Sequence, residues 1–188
     1  MTITREGIFL LGFAILVLYA IVMIFKKVKP VNFFINLAFG LYLLMIVAIC
    51  FFPLRIKGGG IDMLNNFIPF KSTIASLKES ISNHTPYGLI SVFGNLIMLM
   101  PLGIFFDYYI SERKRRMFGT FLFSVAIETV QFIIGMLIGF NYRSIDIDDV
   151  ILNTLGGIIA CIVFDSIIKK LKQKEHNYFC DKLKIGDT

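Results

Sequence analysis

Residues 7–25 read GIFLLGFAILVLYAIVMIF, an apolar run without a charged side chain. As a helix it is roughly 28 Å long, enough to cross the hydrocarbon core of a bilayer. A helix packed on a water-soluble core needs one apolar face and keeps the other polar; this run has no polar face. Lys26-Lys27-Val28-Lys29-Pro30 ends it with charge and a proline. Gly7–Phe25 is too long for the apolar centre of a secretory leader, and its positive cluster follows the run rather than preceding it, so it reads as a retained first span. Four comparable blocks follow, at Val31–Phe52, Leu89–Phe106, Met117–Phe140 and Val150–Ile168. The pattern predicts an all-α, polytopic membrane bundle of about five transmembrane helices.

The rest of the 188-residue chain agrees. Apolar residues make up 56%, with 20 Phe and no Trp, and the mean hydropathy is +0.77. The net charge of +6 does not form a nucleic-acid-binding face, because Lys and Arg gather at the ends of the apolar blocks. The turn at 26–30, the connection Ser111–Arg116 and the tail after Ile168 hold 13 of the 19 Lys and Arg. By the positive-inside rule these three segments are cytoplasmic, which puts the N-terminus outside and the C-terminus inside. An odd number of spans requires the same arrangement. The chain is expected to form one membrane domain over 1–168, with a motif-bearing core at about 62–165 and a basic cytoplasmic tail over 169–188. Membrane lipids are its expected partners. Cys50, Cys161 and Cys180 stand far apart with no CxxC spacing, so neither a metal site nor a cofactor is expected.

The longest stretch outside the spans runs from Pro53 to Gly88. It contains Gly58-Gly59-Gly60 and then Asn65-Asn66-Phe67-Ile68-Pro69-Phe70. Ser72 is placed to cap a short helix with Ile74, Leu77 and Ile81 on one face, lying along the interface or folded onto the bundle.

Polar side chains inside spans are costly, so each requires a reason. In the fourth block Ser124, Glu128, Gln131 and Gly135 share one helical stripe, with Glu128 roughly 16 Å from the block's start, near mid-bilayer. Asp149, Asn153, Gly156 and Ala160 repeat the spacing in the fifth, with Asp146 one turn earlier. Asn95 precedes Pro101 in the third, where the proline removes a backbone donor and predicts a kink. Simpler readings compete. Gly135 with Gly139, and Gly156-Gly157, suit close helix packing; Asp146, Asp148 and Asp149 suit helix capping; Asn95 suits helix–helix hydrogen bonding. Glu128 beside Gln131 is hardest to explain in those terms.

Asn66-Phe67-Ile68-Pro69-Phe70, Gly94-Asn95 with Pro101-Leu102-Gly103, Ser124 with Glu128 and Gln131, and Arg143 through Asp146-Ile147-Asp148-Asp149 to Asn153-Thr154-Leu155-Gly156-Gly157 resemble the VanZ-like family of bacterial membrane proteins. They match in order and spacing from about Asn66 to Ala160. The resemblance implies a multi-helix protein of the bacterial cytoplasmic membrane. The family is named for a member linked to resistance to teicoplanin, a lipoglycopeptide that acts on cell-wall precursors outside the membrane.

Residues and resemblance together suggest a polar pocket opening outward, with Asn66, Asn95, Gln131, Arg143, Asp146 and Asn153 as binding residues. Glu128 and Asp149 are the candidates for catalysis or proton handling, and Arg143 is expected to pair with a carboxylate or a head-group phosphate. Three functions fit: an envelope resistance protein that engages a glycopeptide or lipid-linked cell-wall precursor, a membrane enzyme acting on a lipid-linked head group, and a small proton-coupled transporter. The enzyme reading lacks a Ser-His or Cys-His pair, because His84 and His176 lie in a loop and in the tail, on opposite sides. Mg²⁺ or Ca²⁺ held by Glu128, Asp146 and Asp149 is the disfavoured alternative to a metal-free site.

Overall fold

The computed structural model describes residues 2–55 and 64–185, with side chains described within 2–54 and 64–174. Gly58-Gly59-Gly60, Lys57 and the side chains of His176, Cys180, Lys182 and Lys184 lie outside the described residues. Among the described residues seven helices run in order: α1 (Arg5–Phe25), α2 (Pro30–Phe51), α3 (Lys71–Ser82), α4 (Tyr87–Met98), α5 (Met100–Tyr109), α6 (Arg113–Ile138) and α7 (Ile147–Ile185). Five segments are long and apolar enough to span a membrane: α1, α2, α4 with α5, α6, and Ile147–Lys174 of α7. The protein is therefore a multi-pass membrane protein. Two short strands, β1 (Thr2–Ile3) and β2 (Leu54–Arg55), pair antiparallel and tie the start of α1 to the end of α2.

Helix α7 is the hub, packed against α4, α5 and α6, while α1 lies against α2 at the periphery. The closest approach is at Gly156, where an added Cβ would stand 1.7 Å from the Leu96 carbonyl oxygen of α4. No side chain fits there, so the two backbones touch. The paired glycines of α7 serve the close packing expected of them. Gly139 does not. It terminates α6 in a left-handed conformation (φ +80°) with its N–H on the Gly135 carbonyl, and open space surrounds it. The Gly135–Gly139 spacing is thus a helix end, because left-handed φ suits glycine, and Gly135 faces Asn141 and Phe140 of the following loop.

The third span breaks at Leu99, between α4 and α5. Pro101 has no N–H for the Ile97 carbonyl, and the Leu99 N–H turns to that carbonyl instead. Tyr42 of α2 donates its hydroxyl to the Met98 carbonyl (3.0 Å). Leu99 and Leu102, both fully buried, sit here with Tyr42, Ile46, Cys50 and Ile127 in the main apolar core.

At the end of the bundle that carries the Ser111–Arg116 connection, Arg116 is only 4% exposed. Its guanidinium pairs with Asp107 of α5 and, at 2.7 Å, with Asp165 of α7, which also accepts from Arg113. This neutral network joins the last three spans. Part of the basic cluster read from sequence as an orientation signal is therefore structural.

Replacing Gly156 with leucine forces α7 away from α4, and by analogy with overpacked cores costs about 1–3 kcal/mol or more. Thermal unfolding of the detergent-purified protein measures it, and an unchanged midpoint refutes the contact.

Candidate functional site

The polar residues of α6 and α7 meet because the chain between those helices turns back into the bundle. Helix α6 ends at Ile138, yet Glu128, roughly 15 Å earlier along that helix, accepts the backbone N–H of Asp146 at 3.2 Å. Asn95, roughly 12 Å along α4 from its start, hydrogen-bonds Asp149 in the first turn of α7. Segment 139–146 therefore re-enters, and α7 begins in a recess below the first turn of α4 and the last turn of α6. Irregular backbone at such depth is tolerated only where protein or water satisfies it.

The loop after Leu64 supplies that satisfaction. Asn66 pairs with Asp146 as a parallel bridge: its N–H donates to Ile145 O (2.8 Å), and its carbonyl accepts from Ile147 N (2.9 Å). The Asn66 side chain donates to Asp146 Oδ1 (2.8 Å), the atom that also accepts Asp148 N–H (2.9 Å). Asp146 is thus the N-cap of α7. Asn65 Oδ1 accepts Ile145 N–H at 3.1 Å, extending the seam.

Asp148 takes a part that sequence reasoning did not assign to it. It is 2% exposed and accepts from Phe70 N–H, Ser72 Oγ (2.6 Å) and Thr73 N–H (2.9 Å). Ser72 consequently does not cap α3. The boundary position belongs to Phe70, in left-handed conformation at φ 64°, and a carboxylate from another helix satisfies the first turn. An ionised acceptor makes stronger bonds there than a local hydroxyl. Helix α3 folds onto α4, with Gly88 N–H donating to Ser80 Oγ (2.8 Å). Ile74 and Ile81 remain exposed and Leu77 is half-buried. Only a Ser at 72 and a carboxylate at 148 signalled this pairing, and nothing in the spacing joined positions so far apart.

Two expected binding residues serve the end of α2. Gln131 Nε2 donates to Cys50 O (2.9 Å), and Arg143 Nη2 donates to Ile49 O (2.7 Å) and Phe52 O (3.3 Å). Arg143 was expected on a carboxylate or phosphate, but it lies on helix-terminal carbonyls, where the helix dipole favours a cation. Phe52 O also accepts Arg5 Nε (2.9 Å). Among the described residues no Lys or Arg forms an ion pair with Glu128, Asp146, Asp148 or Asp149.

Glu128 is 7% exposed and Asn153 is 1% exposed. Asn153 Oδ1 has no hydrogen-bond partner, nor does the buried hydroxyl of Tyr142. Burial raises the Tyr142 phenol above its ordinary range, so it stays protonated at neutral pH. Among the described residues no three carboxylate, His or Cys side chains converge as metal ligands, the trio Glu128, Asp146 and Asp149 included. The structure brings together Asn66, Asp146 and Glu128 on one side and Asn95 with Asp149 on the other. Gln131 and Arg143 stand beside them on α2.

Replacing Asp148 with alanine strands the N–H groups of Phe70 and Thr73 and frees α3. Hydrogen exchange over 64–82 is expected to rise at least about fivefold, for about 1–3 kcal/mol of lost bonding, with α6 unaffected. Unchanged protection over 64–82 refutes the role.

No curated protein and no solved structure is similar enough to match this chain. The family model described as VanZ/LLP1 matches residues 39–169, from the middle of α2 to beyond the buried ion pairs of α7. That interval contains every residue of the recess, and on it the chain belongs to the VanZ/LLP1 family.

Proposed function

We propose that this VanZ-like membrane protein acts in the bacterial cell envelope and lowers susceptibility to teicoplanin-type glycopeptides, engaging the glycopeptide or its lipid-linked precursor through the polar recess. The single observation that carries the reading is the pair of carboxylates without cationic partners, Glu128 on the Asp146 N–H and Asp149 on Asn95, held below the outer loop. Structural hydrogen bonds alone do not need ionisable groups at that depth, since amides would satisfy them with less desolvation. In this reading Glu128 carries a proton and Asp149 is its electrostatic partner.

The recess faces outward and the C-terminus is cytoplasmic. Support comes from the charge distribution: the basic turn, the Ser111–Arg116 connection and the tail share the opposite end of a five-span bundle.

Deleting the gene should lower the teicoplanin concentration that stops growth several-fold. Wild type should restore it, and Glu128→Gln and Asp149→Asn, made at comparable membrane levels, should not. Unaltered susceptibility on deletion overturns the resistance reading, and full restoration by both variants overturns the role of the carboxylates. For orientation, a Cys180→Ser protein carrying Glu79→Cys, on the exposed face of α3, should react with an impermeant maleimide in whole cells. Reaction only after lysis reverses the topology.

A further inference from the structure

Asn153 Oδ1 is a buried acceptor without a partner, on a side chain 1% exposed, and the direction of that side chain follows from its neighbours on α7. Asp149 and Gly156, which flank it on one side of the helix, meet Asn95 and the Leu96 backbone of α4. Val150 and Gly157, on the other side, meet Ser124 and Thr120 of α6. Asn153 therefore points into the seam between α4 and α6, one turn below Asp149. The α6 stripe that meets this seam, Thr120 and Ser124, continues one turn on to Glu128. An asparagine oxygen buried without a donor carries a desolvation cost that a bound donor removes.

We propose that this seam binds a primary ammonium group, whose N–H donors meet the Asp149 carboxylate and Asn153 Oδ1. A primary ammonium brings three donors and one positive charge. That offsets the Asp149 carboxylate, which no Lys or Arg pairs with among the described residues, and gives the orphan amide oxygen a partner. A quaternary ammonium has the charge without the donors. The half-buried rim, formed by Asn66, Asp146 and Asp149, is the entry. The ammonium belongs to an aminolipid head group or to a soluble amine, and the chemistry at the seam is the same. This inference rests on the recess being the functional site of the proposed function and specifies what it recognises.

The full-length protein with Cys180→Ser is purified in detergent and melted with a thiol-reactive fluorogenic dye, which reports exposure of the buried Cys50 and Cys161. Ethylammonium chloride is compared with sodium and tetramethylammonium chloride at equal ionic strength. Ethylammonium at saturation should raise the midpoint by roughly 5 °C and the other two salts should not. Asp149→Asn, which keeps a side chain able to bond Asn95, should reduce the apparent affinity at least tenfold, and Asn153→Leu should abolish the shift. No ethylammonium shift, an equal shift with tetramethylammonium or sodium, or an undiminished shift in folded Asp149→Asn overturns the proposal. Nanodiscs separate the sources. A higher midpoint in phosphatidylethanolamine than in phosphatidylcholine, with no further rise from ethylammonium, supports the lipid; equal midpoints with the ethylammonium response retained support a soluble amine. Ethylammonium binding in a protein whose deletion leaves glycopeptide susceptibility unchanged keeps the site and removes only the resistance reading. Resistance without ethylammonium binding does the reverse.

Discussion

The architecture depends on a helix that starts too deep. Because α7 begins near the level of Glu128 rather than at the ends of its neighbours, several backbone N–H and C=O groups would face an apolar interior without partners. Nearly every polar residue around the recess answers that demand. Asn66 makes a single parallel bridge, Asp146 caps the helix, Glu128 takes the Asp146 amide, and Asp148 reaches back to secure the start of α3. These are one connected network, so loosening any member exposes groups served by the others.

Packing and polarity divide the labour along α7. At its start, carboxylates and amides set position; two turns further down, Gly156 brings α7 against the α4 backbone. Close contact fixes the separation of the two helices, and thus the distance across which Asn95 can meet Asp149. Peripheral α1 is coupled to this centre through α2, whose last carbonyls are held by Gln131 and Arg143.

The spans were legible because the bilayer imposes a length and a polarity that any qualifying helix must display in sequence; four of the five apolar blocks fall on single described helices and the third on the pair α4 and α5. The break near Pro101 was legible for a similarly local reason, a missing N–H. The buried stripe of Ser124, Glu128, Gln131 and Gly135 followed from helical period. What escaped was pairing at long range. Asp148 with Ser72, Arg143 with the carbonyls of α2, and Arg116 with Asp107 and Asp165 are contacts between distant positions, and charge type alone does not choose among partners. Gly139 misled for a different reason: the same spacing serves helix crossing and helix termination, and only the backbone conformation separates them.

The ion network around Arg116 bears on how the protein is made. Arg116, Asp107 and Asp165 each sit near the end of a different apolar segment, and a lone charge of this kind resists partitioning from the translocon into lipid by about 2.5–3.5 kcal/mol at the centre of a helix, less near its ends. Once together, and with Arg113 also on Asp165, they neutralise one another across α5, α6 and α7. The last three segments consequently favour leaving the insertion machinery as a group, after α7 has been synthesised. Ribosome-bound chains truncated before Asp165 should then remain beside the translocon, with the arginine still waiting for its second acid.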